Sequence, residues 1–233
     1  MKGQVIAIGG GGFTEGRDPG LDEYVLKQAG VKCPRIGFIG TASGDSDRNT
    51  ANFYSRHVQL DCRPSHLALF RRTPDIPEWI AAQDILFVGG GNTKSMLAAW
   101  AGWGLPELLK KAVEGGTVLA GISAGAICWF EEGITDSVAG ILGRLPCLGF
   151  IQGSCCPHYS LEPDRKPTYE RLLLAGQIQS GVAIDDGAAV HFVDGRPARV
   201  ISGSKGMSAY AVGVADGKVR TGEIPQTELV EAY

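Results

Sequence analysis

Short apolar runs rich in β-branched residues alternate with amphipathic stretches through the first half of the chain. Each run is apolar enough to be covered on both faces, which is typical of strands in a parallel sheet. The stretches between them carry helix end signals, such as Asn92 before one and Gly30 after another. We therefore predict a mostly parallel sheet flanked by helices, an α/β fold. The predicted strands are 5–8, 35–39, 65–69, 85–88 and 117–120, and the predicted helices are 21–29, 50–60, 93–100 and 105–113.

The pattern changes after Ile134, where glycine and proline become frequent and a helix is predicted over 167–175. Short alternating runs follow it, with turn dipeptides at Asp194-Gly195 and Asp216-Gly217. We predict an antiparallel meander here that extends the sheet, so that 1–233 forms a single domain. Its strands are predicted at 182–184, 188–192, 198–201 and 209–214.

Composition limits the classes of partner. Hydrophobic residues make up 44% of the chain and charged residues 20%, and 22 Lys and Arg stand against 25 Asp and Glu, a formal charge of −3. This balance does not favour nucleic acid or an acidic membrane, so a small molecule is the expected partner. No apolar run approaches the roughly 20 residues that span a bilayer. The N-terminus enters a short strand instead of a signal-peptide core, and we expect a cytoplasmic location.

Cysteine usage favours reduced thiols. A chain of this length does not need disulfides, and none of the cysteines forms a C-x-x-C pair. Cys155 and Cys156 are adjacent but lack a second cluster, so we expect no metal and no cofactor. The glycine run 9–12 likewise lacks the continuations of a phosphate-binding or dinucleotide-binding loop.

The segment 120–126 contains the motif Gly-x-Ser-x-Gly directly after an apolar strand. Small residues on both sides allow a sharp strand-to-helix turn that exposes the hydroxyl of Ser123. The amide of Ala124, at the start of the following helix, points at the same space. Ser123 is therefore the candidate nucleophile, and the geometry suits acyl transfer.

A serine nucleophile needs a base, and histidine is the usual one. His57 lies on a predicted helix face, His66 in a predicted strand and His191 among apolar residues of the meander. His158 follows Pro157 in a predicted loop, which makes it the candidate base.

The base needs a carboxylate on its other ring nitrogen. Asp186 ends a predicted strand and precedes glycine, so its carboxylate could lie at the sheet edge beside His158. Asp136 follows the predicted nucleophile helix and is the alternative acid. Either aspartate could instead cap a turn.

Donors for an oxyanion usually come from backbone amides in a glycine-rich turn. The segment 87–93, Phe-Val-Gly-Gly-Gly-Asn-Thr, supplies such a turn after a predicted strand. Ligands of open α/β sheets bind at the carboxyl ends of strands, the edge at which Ser123 is predicted. The amides of Gly91 and Ala124 are therefore the predicted oxyanion pair.

Three motifs together identify a resemblance: Gly-Gly-Gly-Asn-Thr at 89–93, Gly-x-Ser-Ala-Gly-Ala at 121–126 and Pro-His-Tyr at 157–159. The chain resembles peptidase family S51, which contains peptidase E (aspartyl dipeptidase) and cyanophycinase. The resemblance runs over nearly the whole length. It implies a fold similar to class I glutamine amidotransferases, with serine where those enzymes carry cysteine.

The resemblance also implies roles. The family's nucleophile falls on Ser123, its base on His158 and its triad carboxylate on Asp186, where the relatives usually show glutamate. Asp136 matches another aspartate implicated in peptidase E. The oxyanion turn falls on Gly91, and the matching polar residue that faces the substrate is Asn92.

Peptidase E-like enzymes remove an N-terminal aspartate from dipeptides, which requires a cation for its side-chain carboxylate. Arg165 is the candidate, with a solvated arginine as the alternative, and Glu162 is the candidate ligand of the free α-amino group. The expected function is that of a serine exopeptidase that works through an acyl-enzyme. A cyanophycinase-like β-aspartyl-arginine peptidase, an α/β-hydrolase esterase and a non-catalytic small-ligand-binding relative are the alternatives, and a homodimer stays open.

Overall fold

The computed structural model describes residues 2–230, which form two sheets with helices packed around them. The strands are β1 Gln4–Ile8, β2 Arg35–Ile39, β3 Arg63–Leu67, β4 Ile85–Val88, β5 Val118–Ile122, β6 Phe130–Val138, β7 Ile141–Pro146, β8 Ile151–Cys156, β9 Gly181–Ile184, β10 Ala188–Val193, β11 Arg196–Ser202, β12 Ala209–Ala215, β13 Lys218–Glu223 and β14 Glu228–Leu229. The helices are α1 Gly12–Glu15, α2 Pro19–Lys27, α3 Asp47–His57, α4 Ile76–Ala81, α5 Thr93–Trp103, α6 Leu105–Glu114, α7 Ala124–Ile127 and α8 Arg165–Leu174.

The larger sheet has the order β14-β11-β10-β1-β5-β4-β2-β3. Its five strands from β1 to β3 are parallel, and β10 pairs antiparallel with β1 at their edge. This confirms the predicted mostly parallel sheet flanked by helices. Alternate residues of the same strands enter two separate hydrophobic cores, as Val5 and Ile6 do in β1. The sheet is therefore covered on both faces, as the continuous apolar runs predicted.

The smaller sheet has the order β13-β12-β9-β8-β6-β7 and corrects the predicted meander. Strands β10 and β11 extend the large sheet, but β9 and β12 belong to the small one. Strand β9 pairs in parallel with β8. This pairing depends on a close approach of the two strands, which the local sequence pattern does not encode. A Cβ atom at Gly181 would lie 2.0 Å from the Ser154 carbonyl oxygen. The predicted turn dipeptides are confirmed, because Asp194, Gly195 and both residues of Asp216-Gly217 have positive φ and connect hairpins.

Other differences concern elements with weak local signals. Strand β3 ends at Leu67, two residues before the predicted end, and β5 continues to Ile122. Strands β6, β7 and β8 and the helix α4 were not predicted. Strand β6 carries Glu132 at a buried position, where Arg144 and the amide of Gln179 satisfy its carboxylate. A buried charge breaks the apolar alternation on which strand prediction relies.

No helix within residues 2–230 has both the length and the apolar character to cross a bilayer.

Candidate active site

Ser123 lies between the last residue of β5 and the first residue of α7. Its φ of 55° and ψ of −112° are unusual for a residue with a side chain, and its amide donates to the carbonyl of Ile8 at the end of β1, 3.1 Å away. A Cβ atom at Gly121 would lie 2.2 Å from the Gly125 carbonyl oxygen, and one at Gly125 would lie 2.2 Å from that of Val88. Both glycines of the motif are therefore needed for the sharp turn.

His158 and Asp186 come from the second sheet. They follow β8 and β9, which are parallel neighbours, so both side chains lie at the carboxyl edge of that sheet. His158 Nδ1 lies 2.6 Å from Asp186 Oδ1, and His158 Nε2 lies 2.9 Å from Ser123 Oγ. Because a carboxylate only accepts, Nδ1 donates to Asp186 and Nε2 accepts from the hydroxyl of Ser123. The structure thus joins the carboxyl edges of two sheets through one hydrogen-bonded chain.

The Asp186 carboxylate is buried, with a side chain that is 2% exposed. Burial raises the pKa of Asp186, but the hydrogen bond and charge of His158, together with the charge of Arg17, outweigh it and lower that pKa below its ordinary value. Asp186 is therefore a carboxylate at neutral pH, as an acceptor for an imidazole N–H must be.

The glycine run after β1 makes room for this pair. A Cβ atom at Gly10 would lie 1.5 Å from Asp186 Oδ1 and 3.0 Å from His158 Nδ1. Gly10 also pairs with Asp186 through an isolated bridge, and the amide of Gly187 donates to the Gly10 carbonyl, 2.9 Å away. A side chain at Gly10 would therefore collide with both Asp186 and His158.

The glycine turn after β4 lies beside Ser123. A Cβ atom at Gly90 would lie 3.2 Å from the Cβ of Ser123. Gly91 has a φ of 137°, and a Cβ atom there would lie 2.3 Å from the carbonyl oxygen of Ala42. Within the described chain, the Gly91 amide donates no hydrogen bond. Ala124, as the first residue of α7, has an amide without an intrahelical partner.

Asn92 lies at the start of α5 and is held by hydrogen bonds within the protein. Its side-chain oxygen accepts from the amide of Ser95, 2.8 Å away, and caps α5, while its NH₂ group donates to the carbonyl of Ser137, 2.9 Å away. Asn92 lines the cleft beside Ser123, but both ends of its amide group are occupied by the protein. Its position is a consequence of helix capping, which asparagine favours.

Arg165 is buried, which corrects the alternative of a solvated arginine. Its Nε donates to Glu162 Oε2, 2.6 Å away, and its Nη1 donates to the carbonyl of Ile134, 2.9 Å away. Its Nη2 lies 3.6 Å from Asp136 Oδ1, and that aspartate side chain is 68% exposed. Asp136 therefore lies against Arg165, and the carboxylate that contacts His158 is Asp186.

These groups share one cleft of about 270 Å³, lined by Gly91, Ser123, Asp136, His158, Glu162 and Arg165 together with Asn92 and Ser137. Two carboxylates and one guanidinium face it besides His158. Of the predicted site residues, Ala124 is absent from the cleft lining, and Asp186 is buried behind His158.

The other histidines are engaged elsewhere. His57 Nδ1 hydrogen-bonds to the carbonyl of Phe53, and His191 Nδ1 pairs with the hydroxyl of Tyr24. His66 pairs with the hydroxyl of Tyr54. Across residues 2–230, no group of three or more His, Cys, Asp or Glu side chains is placed to hold a metal ion.

Sequence reasoning missed Arg17. Its Nη2 lies 3.5 Å from Asp186 Oδ1, the same oxygen that accepts from His158. The only local signal is that Arg17 lies shortly after the glycine run 9–12, which itself follows β1.

A serine, histidine and aspartate in one hydrogen-bonded chain, at the carboxyl edge of an α/β sheet, are typical of hydrolases with a nucleophilic side chain. Comparison with known proteins shows that this hydrolase is a peptidase. The profile of peptidase family S51 matches residues 5–200, and the chain belongs to this family.

Individual proteins that this chain resembles are also described as peptidases. The chain is 48% identical to the uncharacterized peptidase YgaJ of Bacillus subtilis (strain 168) over 224 residues, which cover 95% of this chain and 96% of YgaJ. It is 31% identical to peptidase E of Streptomyces coelicolor (strain ATCC BAA-471 / A3(2) / M145) over 58% of this chain and 55% of that protein. The crystal structure of a peptidase from an acI-B1 Actinobacterium has the same fold, with a TM-score of 0.74 at 17% identity, over 97% of this chain and 95% of that one.

Proposed function

We propose that the protein is a serine exopeptidase that removes an N-terminal aspartate from dipeptides and other short peptides through an acyl-enzyme. The observation that carries the proposal is the hydrogen-bonded chain Ser123, His158 and Asp186, with distances of 2.9 and 2.6 Å. Both distances lie within the range of a working nucleophile, base and orienting acid.

The hydrogen bonds that join Ser123, His158 and Asp186 determine how the protons move. Ser123 Oγ attacks the scissile carbonyl carbon, and its proton passes to His158 Nε2. The carbonyl oxygen becomes an oxyanion that accepts from the amides of Gly91 and Ala124. When the C–N bond breaks, His158 returns the proton to the leaving amine. Water then attacks the ester with His158 again as base, which releases the acid and restores the Ser123 hydroxyl.

Substrate selection is assigned to the charged end of the cleft. Arg165 Nη2 is the guanidinium nitrogen that has no close hydrogen-bond acceptor in the described chain, and it would donate to the side-chain carboxylate of an N-terminal aspartate. Glu162 supplies negative charge for the free α-ammonium group. A substrate residue that offers both a side-chain carboxylate and a free α-ammonium group is the N-terminal residue of the peptide. Recognition of both groups therefore agrees with an exopeptidase.

One observation favours a second candidate, a cyanophycinase-like β-aspartyl-arginine peptidase. The cleft has two carboxylates and one guanidinium, and Asp136 is mostly exposed. A cationic arginine side chain on the substrate would gain from this excess of negative charge. The two candidates share the nucleophile and differ in the pocket.

Aspartate release from Asp-Leu, with Leu-Leu and β-Asp-Arg as comparison substrates, tests the proposal without added metal. We expect Asp-Leu to be cleaved and Leu-Leu to be resistant, with loss of activity in Ser123→Ala. Ser55→Ala is the matched control, because Ser55 lies exposed on α3, away from the cleft. Cleavage of β-Asp-Arg alone would move the assignment to the second candidate. Retention of activity in Ser123→Ala would contradict both peptidase candidates. Absence of cleavage of all three substrates would favour an esterase or a non-catalytic binding protein.

A further inference from the structure

Arg17 contacts the candidate triad at Asp186 and does not line the substrate cleft. Its Nη2 lies 3.5 Å from Asp186 Oδ1, while His158 Nδ1 lies 2.6 Å from the same oxygen. The other carboxylate oxygen of Asp186 is buried and has no hydrogen-bond partner in the described chain. One oxygen therefore receives both the imidazole and the guanidinium.

The loop around Arg17 is built to hold it. The amide of Arg17 donates to the carbonyl of Gly12, 3.3 Å away. Glu15 accepts from Arg17 Nε at 2.7 Å and from its Nη2 as well, and its other oxygen accepts from the amide of Gly11. Since Glu15 fixes the planar guanidinium with two contacts, Arg17 keeps its direction toward Asp186 although its side chain is 43% exposed.

We propose that Arg17 is a positioning residue, whose guanidinium keeps the Asp186 carboxylate turned toward His158 and places a positive charge beside the pair. Resting on the function proposed above, this extends the reaction machinery to a residue outside the substrate cleft. The positive charge of the guanidinium offsets part of the negative charge of Asp186, which would otherwise stabilise a protonated His158. Removal of the Arg17 charge is therefore expected to favour the protonated imidazole.

The charge balance around the pair supports this role. Arg17 is the cation within salt-bridge distance of Asp186 besides His158 in the described residues. Its charge contributes to the low pKa of Asp186. Glu15 and Asp18 are the charged groups that act on Arg17 from the segment between β1 and α2. The cleft that His158 lines also contains Asp136, Glu162 and Arg165. Asp185, next to Asp186 in the sequence, accepts instead from the amide of Ser208 and the hydroxyl of Tyr210.

The test is an NMR titration of the His158 ring, which needs no substrate. Its signal is assigned by its loss in His158→Ala. His57 and His191 do not interfere near neutral pH, since burial lowers the pKa of each to about 4. We expect Arg17→Gln to raise the His158 midpoint by about half a pH unit, the size expected for a partly exposed pair. Arg17→Lys, which keeps the charge, is expected to stay within about half of that shift.

Arg48→Gln is the matched control. Arg48 is exposed and lines the same groove of about 410 Å³ as Arg17, but it has no salt bridge to Asp186. We expect it to leave the His158 midpoint unchanged. The proposal is overturned if Arg17→Gln moves the midpoint no further than Arg48→Gln, or if Arg17→Lys behaves like Arg17→Gln.

Kinetics provide a second readout where a substrate is turned over. Arg17 does not line the Ser123 cleft. We therefore expect Arg17→Gln to move the acidic limb of kcat to higher pH, with KM unchanged. A change in KM with no movement of that limb would overturn the role. Absence of peptide cleavage in the wild type would count against the proposed function alone, because the NMR titration would still decide the role of Arg17.

Discussion

Gly10 leaves the space that the Asp186 carboxylate occupies, since a Cβ atom at Gly10 would lie 1.5 Å from Asp186 Oδ1. Gly10→Ala must therefore displace Asp186, and with it His158. A displacement of about 1 Å at a reacting group lowers kcat by about 100-fold, which is the expected loss. Steady-state kinetics and thermal unfolding of the same samples measure it.

Gly102→Ala is the control for this substitution. Gly102 is exposed in α5, and a Cβ atom there would meet open space. Alanine at this position should therefore stabilise the helix by about 0.5–1 kcal/mol and leave kcat unchanged. Wild-type kcat in folded Gly10→Ala would show that the contact between Gly10 and Asp186 is unimportant.

The acid that serves His158 is tested by two amide substitutions. Asp186→Asn replaces the acceptor of the His158 Nδ1 proton and favours the wrong tautomer. We expect kcat to fall by about three to four orders of magnitude. Asp136→Asn leaves the contact between Asp186 and His158 intact, so its kcat should stay within about tenfold of wild type. The reverse order of the two effects would assign the acid to Asp136.

Asp136 also has a predicted effect on KM. Its carboxylate lies 3.6 Å from Arg165 Nη2 and competes with a substrate carboxylate for that nitrogen. We expect Asp136→Asn to lower the KM for Asp-Leu by about two- to fivefold, the range of an exposed ion pair. A raised KM would show instead that Asp136 mainly binds the α-ammonium group of the substrate.

Stability is expected to fall as the pH drops from about 6.5 to 4. Burial lowers the pKa of His57 and of His191 to about 4, so the unfolded chain binds two protons in this window that the folded chain does not. Burial raises the pKa of Asp22 to about 6, so the folded chain holds one proton that the unfolded chain has lost. The three groups together make unfolding take up about one net proton near pH 5.

Asp22→Asn removes the opposing group. Unfolding should then take up about two protons from the histidines, and the free energy of unfolding should depend about twice as steeply on pH. Urea unfolding of both proteins at several pH values measures the slopes. Equal slopes would show that Asp22 does not titrate in this window.

The groups of the hydrogen-bonded chain could be proposed from sequence because each has a local signal. Ser123 follows a predicted strand within a glycine motif, His158 follows Pro157 in a predicted loop, and Asp186 ends a predicted strand before a glycine. The sheet edges then bring them together. Choosing between Asp186 and Asp136 required the structure, because it depends on which strands are neighbours in the second sheet.

Other parts of the site have no local signal. Arg165 is buried because the Ile134 carbonyl, from a strand that sequence reasoning missed, accepts from its guanidinium. Arg17 contacts Asp186 across most of the chain length, and only the packing of β1 between β5 and β10 brings them together. Asn92 was assigned to the substrate through the family resemblance, and its contact with Ser137, which lies on the unpredicted strand β6, has no local signal.

The most direct test of the account is the mass of the peptide that contains Ser123, isolated after acid quenching during turnover of Asp-Leu. We predict that a fraction of this peptide carries one aspartyl residue as an ester on Ser123, and that hydroxylamine removes it. Ser123→Ala should show neither the adduct nor aspartate release. An aspartyl adduct on another residue, or continued aspartate release by Ser123→Ala, would contradict a Ser123 acyl-enzyme.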